Sequence, residues 1–164
     1  MYSAQYWKQK LQLTSHVEGG SYKEIYRSAL IVPQTSLTAQ HNGDRNAMTS
    51  IYFLLEYGEF SAFHRIASDE LWHHYDGGDL CIYEIDINGT ITRHLLGNSS
   101  DAAPFVSIKA GSWFGSRVET PDSFTLCGCT VAPGFDFADF ELADREPLTA
   151  LYPAHRAIVS ELTR

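Results

Sequence analysis

The sequence predicts an all-β chain, an antiparallel sandwich or barrel with helices only at its two ends. Three observations carry this expectation. Nine short segments rich in β-branched and aromatic residues follow one another from Ser21 to Ala132. Gly, Pro, Asp or Asn bound them at regular spacing. Apolar residues recur with helical period only near the termini.

The elements follow in order. Ser3 can cap a short helix, about 3–13, with Tyr6, Trp7, Lys10 and Leu11 at helical spacing. The barrel, about 19–142, then runs through SYKEIYRSALIV, TSIYFLLE, EFSAFHRI, ELWHHY, DLCIYEID, TITRHLL, FVSIKA, SWFGSR and SFTLCGCTVA. Asn88-Gly89, between DLCIYEID and TITRHLL, predicts a two-residue type I′ hairpin with positive φ at both positions. Asp144 can cap a helical turn through Leu151, and Pro153 can open a second one to about Leu162, so helices occupy about 144–163. Helices confined to the ends of a run of strands exclude a parallel α/β sheet.

Length and composition bound the partners. At 164 residues, 44% hydrophobic, the chain is expected to form one domain with a substantial core. Its net charge of -8, with lysines and arginines scattered singly, argues against nucleic acid. No apolar stretch approaches the roughly 20 residues that cross a bilayer, and the N-terminus lacks a secretory apolar core, so no membrane partner is expected. Cys81, Cys127 and Cys129 lack CxxC spacing and read as reduced, buried thiols of a cytoplasmic protein.

The chemistry concentrates in GEFSAFHRIASDELWHHYDGG, residues 58–78. Two strands and a turn account for it. Strand alternation places Phe60, Ala62, His64 and Ile66 on one face, and Glu70, Trp72 and His74 on one face of the returning strand. With both faces inward, His64, Glu70, Trp72 and His74 converge inside the barrel. A one-residue slip would reverse that assignment.

The spacing Gly58-x5-His64-x-Ile66-x3-Glu70-x6-Gly77 resembles the first motif of the cupin superfamily, with Ile66 where the second histidine stands. In IKAGSWFGSRV, Phe114 occupies the place of the metal-binding histidine of the second motif. HVEGGSYKE, FHRIASDELWHHYDGG and CTVAPGFDFADFEL together resemble one cupin-like branch of mostly unassigned function. The likeness spans essentially the whole chain. It implies a double-sheet jelly-roll barrel like that of the nucleotide-sugar epimerases, while a fold alone assigns no reaction.

A metal-dependent cupin oxygenase is one reading, but non-haem iron needs at least two imidazoles and a carboxylate. His64 and Glu70 remain from the pattern, and His74 lies roughly 13 Å from Glu70 by strand rise. No cofactor is therefore expected beyond weak divalent metal at His64 and Glu70. The favoured reading is metal-free, epimerase- or isomerase-like chemistry on a small, carbohydrate-related metabolite. By analogy with those epimerases, His64 is the base, Glu70 its orienting carboxylate or an acid, and Tyr52 the acid. Trp72, His74, Arg45, Phe114 and Ile66 complete the expected ligand contacts, with Trp113 adding to an aromatic lining. A non-catalytic ligand-binding or storage-type cupin is the alternative, with His64 and Glu70 as a structural pair.

Other patches read more plainly. The two glycines of HVEGGSYKE predict a turn or bulge, from which His16 and Glu18 can still reach the barrel mouth. Arg45 sits in a polar loop and is expected to be solvated unless an anion meets it. Arg65 and Asp69 are expected to pair across their turn. Phe135, Phe137 and Phe140 suggest core or dimer interface, and exposed jelly-roll edges favour a homodimer.

Overall fold

The computed structural model describes residues 2–164. Its strands, in chain order, are β1 (Thr14–Ser15), β2 (Ser21–Arg27), β3 (Ile31–Val32), β4 (Arg45–Asn46), β5 (Thr49–Glu56), β6 (Phe60–Arg65), β7 (Asp69–Gly77), β8 (Leu80–Ile85), β9 (Ile91–Leu96), β10 (Phe105–Ile108), β11 (Trp113–Val118), β12 (Phe124–Ala132) and β13 (Glu141–Leu142). The helices are α1 (Ala4–Leu11), α2 (Arg145–Leu151) and α3 (Arg156–Glu161). The expected all-β fold with short terminal helices is the one that forms.

Two antiparallel sheets build a jelly roll. The six-stranded sheet has the order β1-β2-β5-β12-β7-β10, and the five-stranded sheet the order β13-β6-β11-β8-β9. Alternation sends one set of side chains from each sheet between them. Phe53, Leu55, Trp72 and Cys127 from the first sheet meet Leu80, Ile82 and Phe114 from the second in one buried cluster. The outward set is covered by helices. Leu54 and Leu126 lie beneath Ala4, Trp7 and Leu11 of α1, while Phe63, Ile85 and Trp113 lie beneath Leu148 of α2 and Val159 of α3. Ser3 caps α1 by accepting from the Tyr6 amide at 3.1 Å.

One turn departs from expectation. Gly89 takes φ +81 but Asn88 does not take a positive φ, so the β8–β9 connection is longer than a two-residue type I′ turn. The Asp86 carboxylate accepts the Asn88 and Thr90 amides at 2.9 and 2.8 Å and holds that longer loop. The local carboxylate supplies what the second positive φ would have supplied.

Arg65 and Asp69 do not pair. Arg65 binds Glu141 of β13, whereas Asp69 accepts from Lys109 and from the Ala110 amide. Strand pairing brings these more distant partners closer than the residue across the turn. No helix among the described residues is long and apolar enough to cross a membrane.

Candidate functional site

The turn before β2 delivers the first functional side chain. The Gly19 amide donates to the His16 carbonyl at 3.2 Å, and the His16 amide donates to the Gly20 carbonyl at 3.0 Å. Gly19 and Gly20 take φ +120 and +69. A Cβ at Gly19 would lie 2.1 Å from the Phe60 carbonyl oxygen, so only glycine lets this turn lie against β6. The Ala62 amide then donates to the Glu18 carbonyl at 2.8 Å, and Glu18 is carried into the barrel.

Glu18 meets His64 there. His64 Nε2 lies 3.2 Å from Glu18 Oε2, and Glu18 Oε1 accepts from the Ser61 hydroxyl at 2.9 Å. His64 Nδ1 donates to the Ala62 carbonyl at 2.7 Å, which leaves Nε2 with its lone pair in the neutral ring. Burial drives both groups toward neutrality: it pushes the Glu18 carboxyl up and holds the His64 imidazole down at about 4. Glu18 Oε2 and His64 Nε2 are close enough to share a proton. His16 Nδ1 lies 3.5 Å from the same carboxyl oxygen, and burial lowers this imidazole as well.

Glu70 reaches the same space from β7, where Ile108 and Val131 are its strand neighbours. Burial, and after it the like charge of Glu18, pushes its carboxyl up to about 8. Among the described residues no hydrogen bond to the Glu70 carboxyl forms, and the neighbouring Cys129 thiol lowers its pKa only as the weakest of the three influences. The expected partnership of His64 with Glu70 is thus corrected. Glu18 is the carboxyl within hydrogen-bonding distance of the imidazole, and Glu70 faces open space.

That space is a cavity of about 480 Å³ between the sheets, open at one end. His16, Glu18, His64, Ile66, Glu70 and Cys129 line its depth. Tyr22, Phe135 and Phe137 line it nearer the mouth, with Lys23, Glu24, Arg27 and Asp136 as charged neighbours. Phe137 is 56% exposed, and its ring is near-parallel to that of His16 with centroids 6.4 Å apart. Of the three phenylalanines expected to serve as core or interface, Phe140 packs against the core beside His64, while Phe135, also packed on the core, and Phe137 supply the aromatic wall.

Several expected site residues lie elsewhere. Tyr52 points to the outer face of β5, where it packs near α1 and Tyr75, because Phe53 and Ile51 take the inward positions. It cannot act as the acid. Trp72 is buried in the core against Phe53, and Phe114 packs on His64 with ring centroids 4.1 Å apart. Neither lines the cavity, so the expected aromatic platform of Trp72 and Phe114 is not formed; Trp113 lies outward beneath α2 and α3. His74 sits at the far end of β7, bonded to the Gly78 carbonyl at 3.3 Å and to Asn98 at 3.0 Å. Arg45 is buried rather than solvated, and its guanidinium makes two hydrogen bonds to Asp139 at 2.6 and 2.5 Å. It meets no cavity, but it anchors the turn that carries Phe137 (residues Phe137–Asp139).

The residues present do not suit the metal of metal-dependent cupins. Ile66 and Phe114 are apolar where that chemistry needs imidazoles, and His64 turns Nε2 toward Glu18. Among the described residues no group of three or more His, Cys, Asp or Glu side chains is arranged to hold an ion.

Known proteins place this architecture. A family model described as "Cupin superfamily (DUF985)" matches residues 5–143. Protein SO0799 from Shewanella oneidensis is 42% identical, with a TM-score of 0.87 over 100% of this chain and 99% of that one. A hypothetical protein from Leishmania major is 33% identical, with a TM-score of 0.89 over 99% of each chain. A cupin 2 domain-containing protein from Halorhodospira halophila shares the fold at 16% identity and a TM-score of 0.57, covering 92% of this chain and 87% of that one. No curated protein matches the chain. A jelly roll of this order, carrying the motif residues His64 and Glu70 on adjacent segments of one cavity, belongs to the cupin superfamily, in the family described as DUF985.

Proposed function

We propose that the chain binds a small polar metabolite in this cavity and exchanges a proton with it without a metal. Glu70 is the group that faces the ligand, and the Glu18–His64 pair stands behind it as proton reservoir. The observation that carries the reading is Glu70 itself: a buried carboxyl at the cavity wall, without a hydrogen bond or ion pair among the described residues. Enzymes place such groups where a proton must be held near neutral pH, and Glu70 and His64 are driven to opposite sides of it. Isomerisation or epimerisation is the reaction class that needs nothing more. The sugar preference expected from Trp72, Trp113 and Phe114 is not part of this proposal, since all three rings are committed to buried clusters away from the cavity.

A second reading has its own support. Both ring nitrogens of His64 are engaged, by Ala62 and by Glu18, which suits a non-catalytic binding protein. Solvent exchange separates the two. A bound metabolite in D2O is expected to exchange a carbon-bound proton, and Glu70→Gln is expected to slow that exchange by about 10²-fold or more at saturating ligand. Binding by the wild-type chain with no exchange and no product leaves the non-catalytic reading standing.

A homodimer belongs to the same proposal. Ile25, Tyr26, Leu30, Ile31 and Met48 are 37–67% exposed around β2 and β3. The Ser28–Met48 and Ala47–Leu30 backbone hydrogen bonds bring Leu30 and Met48 close together within this exposed apolar surface. Sedimentation at micromolar concentration is expected to give twice the chain mass; monomer alone would remove this part.

A further inference from the structure

The charges around the cavity are unbalanced in one place. At the mouth, Arg27 is clamped by Glu24 through bonds of 3.0 and 2.7 Å, and the Lys23 ammonium donates to the Gln12 side-chain oxygen at 2.8 Å. Asp136 supplies a second carboxylate there. Lys23 and Arg27 therefore cancel Glu24 and Asp136, and nothing is left over for the two carboxyls deeper in. Arg164 donates to the Val17 and Glu18 carbonyls at 2.7 and 3.2 Å, and its charge is the weakest influence on the Glu18 carboxyl and is not among those acting on Glu70. His16 and His64, the remaining basic groups facing Glu70 and Glu18, are both driven to the neutral form by burial.

We propose that the ligand carries a basic nitrogen, held as an ammonium between the Glu70 carboxylate and the aromatic wall of Phe135 and Phe137. The inference rests on the reading of this cavity as a ligand site and adds the ligand's charge class to it. Glu70 is 7% exposed, lines the cavity, and has no cationic partner among the described residues. A buried carboxyl of this kind stays protonated until a cation arrives. The aromatic wall suits the same guest, since a ring face attracts an ammonium within about 6 Å of its centroid. Phe135 and Phe137 present a face and an edge to each other, with centroids 5.0 Å apart at 81°. A chain of net charge -8 also favours the approach of cations over anions.

The binding step balances simply. The Glu70 O–H bond breaks, its proton leaves to solvent, and the carboxylate takes the ammonium as counterion; no other bond changes. Burial holds the Glu70 proton to about pH 8, so the release is expected at neutral pH.

Benzylammonium, benzyl alcohol and benzoate share one ring and differ in charge. Each is titrated calorimetrically into the full chain at pH 7 in two buffers of different ionisation enthalpy. Benzylammonium is expected to bind at least tenfold tighter than the other two, to release close to one proton, and to gain affinity from pH 6 to pH 8. Glu70→Gln is expected to lower its affinity at least tenfold and to abolish the release. Phe137→Leu, at an exposed position that leaves the fold intact, is expected to weaken benzylammonium several-fold and benzyl alcohol little. Benzoate or benzyl alcohol binding as tightly as the cation, or proton release that survives Glu70→Gln, overturns the charge class while leaving the cavity as a ligand site. Failure of all three probes to bind, with the His16 and His64 NMR signals unmoved, ends both.

Discussion

Asp139→Ala is expected to lower the unfolding free energy by about 3 kcal/mol, read as a shift in urea midpoint at unchanged slope. Arg45 and Asp139 are each 5% exposed at the side chain, and two short hydrogen bonds join them. The Asn42 amide adds a third bond to the same carboxylate at 3.0 Å. Removing the carboxylate leaves a buried guanidinium whose hydrogen-bond partner is the neutral Asp44 carbonyl, and the loss of its paired countercharge is the main cost. Arg45→Met combined with Asp139→Ala is therefore expected to recover part of the loss, because no orphan charge remains. The same aspartate closes the turn that carries Phe137, so the single variant is also expected to weaken ligand binding. A loss below about 1 kcal/mol would mean that water reaches the pair freely.

Between pH 6.5 and pH 8.5 the wild-type chain is expected to lose about 2 kcal/mol of stability, and Glu70→Gln is expected to flatten that decline. The folded state raises Glu70 from 4.5 to about 8, so it binds a proton that the unfolded chain has released. Its contribution is fully present below about pH 4.5 and is lost as pH rises through 8. His64 acts in the opposite sense. Lowered from 6.5 to about 4, it contributes stability that is present above pH 6.5 and lost as pH falls toward 4. The two slopes oppose each other between 4.5 and 6.5, which leaves the decline visible only above 6.5. Glu18, raised by burial, contributes with the same sign as Glu70. Thermal melts across this range would refute the assignment if the wild-type and Glu70→Gln curves ran parallel.

Both predictions depend on partners that adjacency in sequence hides. The inward direction of His64 and Glu70 was legible because strand alternation fixes which neighbours share a face. Glu18 was legible only as a residue able to reach the mouth. Its pairing with His64 spans 46 positions and depends on Gly19 lying against the Phe60 carbonyl. Two adjacent glycines after a carboxylate were the one local sign that a backbone must pass close to something there. Arg45 misled for a similar reason. A charged residue between Gly43 and Asn46 looks solvated until the chain supplies Asp139 from 94 residues away. Tyr52 and Phe137 exchanged roles because periodicity assigns faces, and only packing decides which face is covered by α1 and which opens on the cavity.

The amino-acid order alone determined the all-β architecture, the helices at its ends, and the apolar substitutions Ile66 and Phe114 at two cupin ligand positions. These follow from local rules: the two-residue repeat of a pleated strand, the backbone preferences of Gly and Pro, and motif spacing. Tertiary structure decided which carboxyl meets His64, which carboxyl is left facing the cavity, and which aromatic rings form its wall. Proton affinities depend on burial and on charges brought together from distant strands, and neither exists before the sheets close on one another.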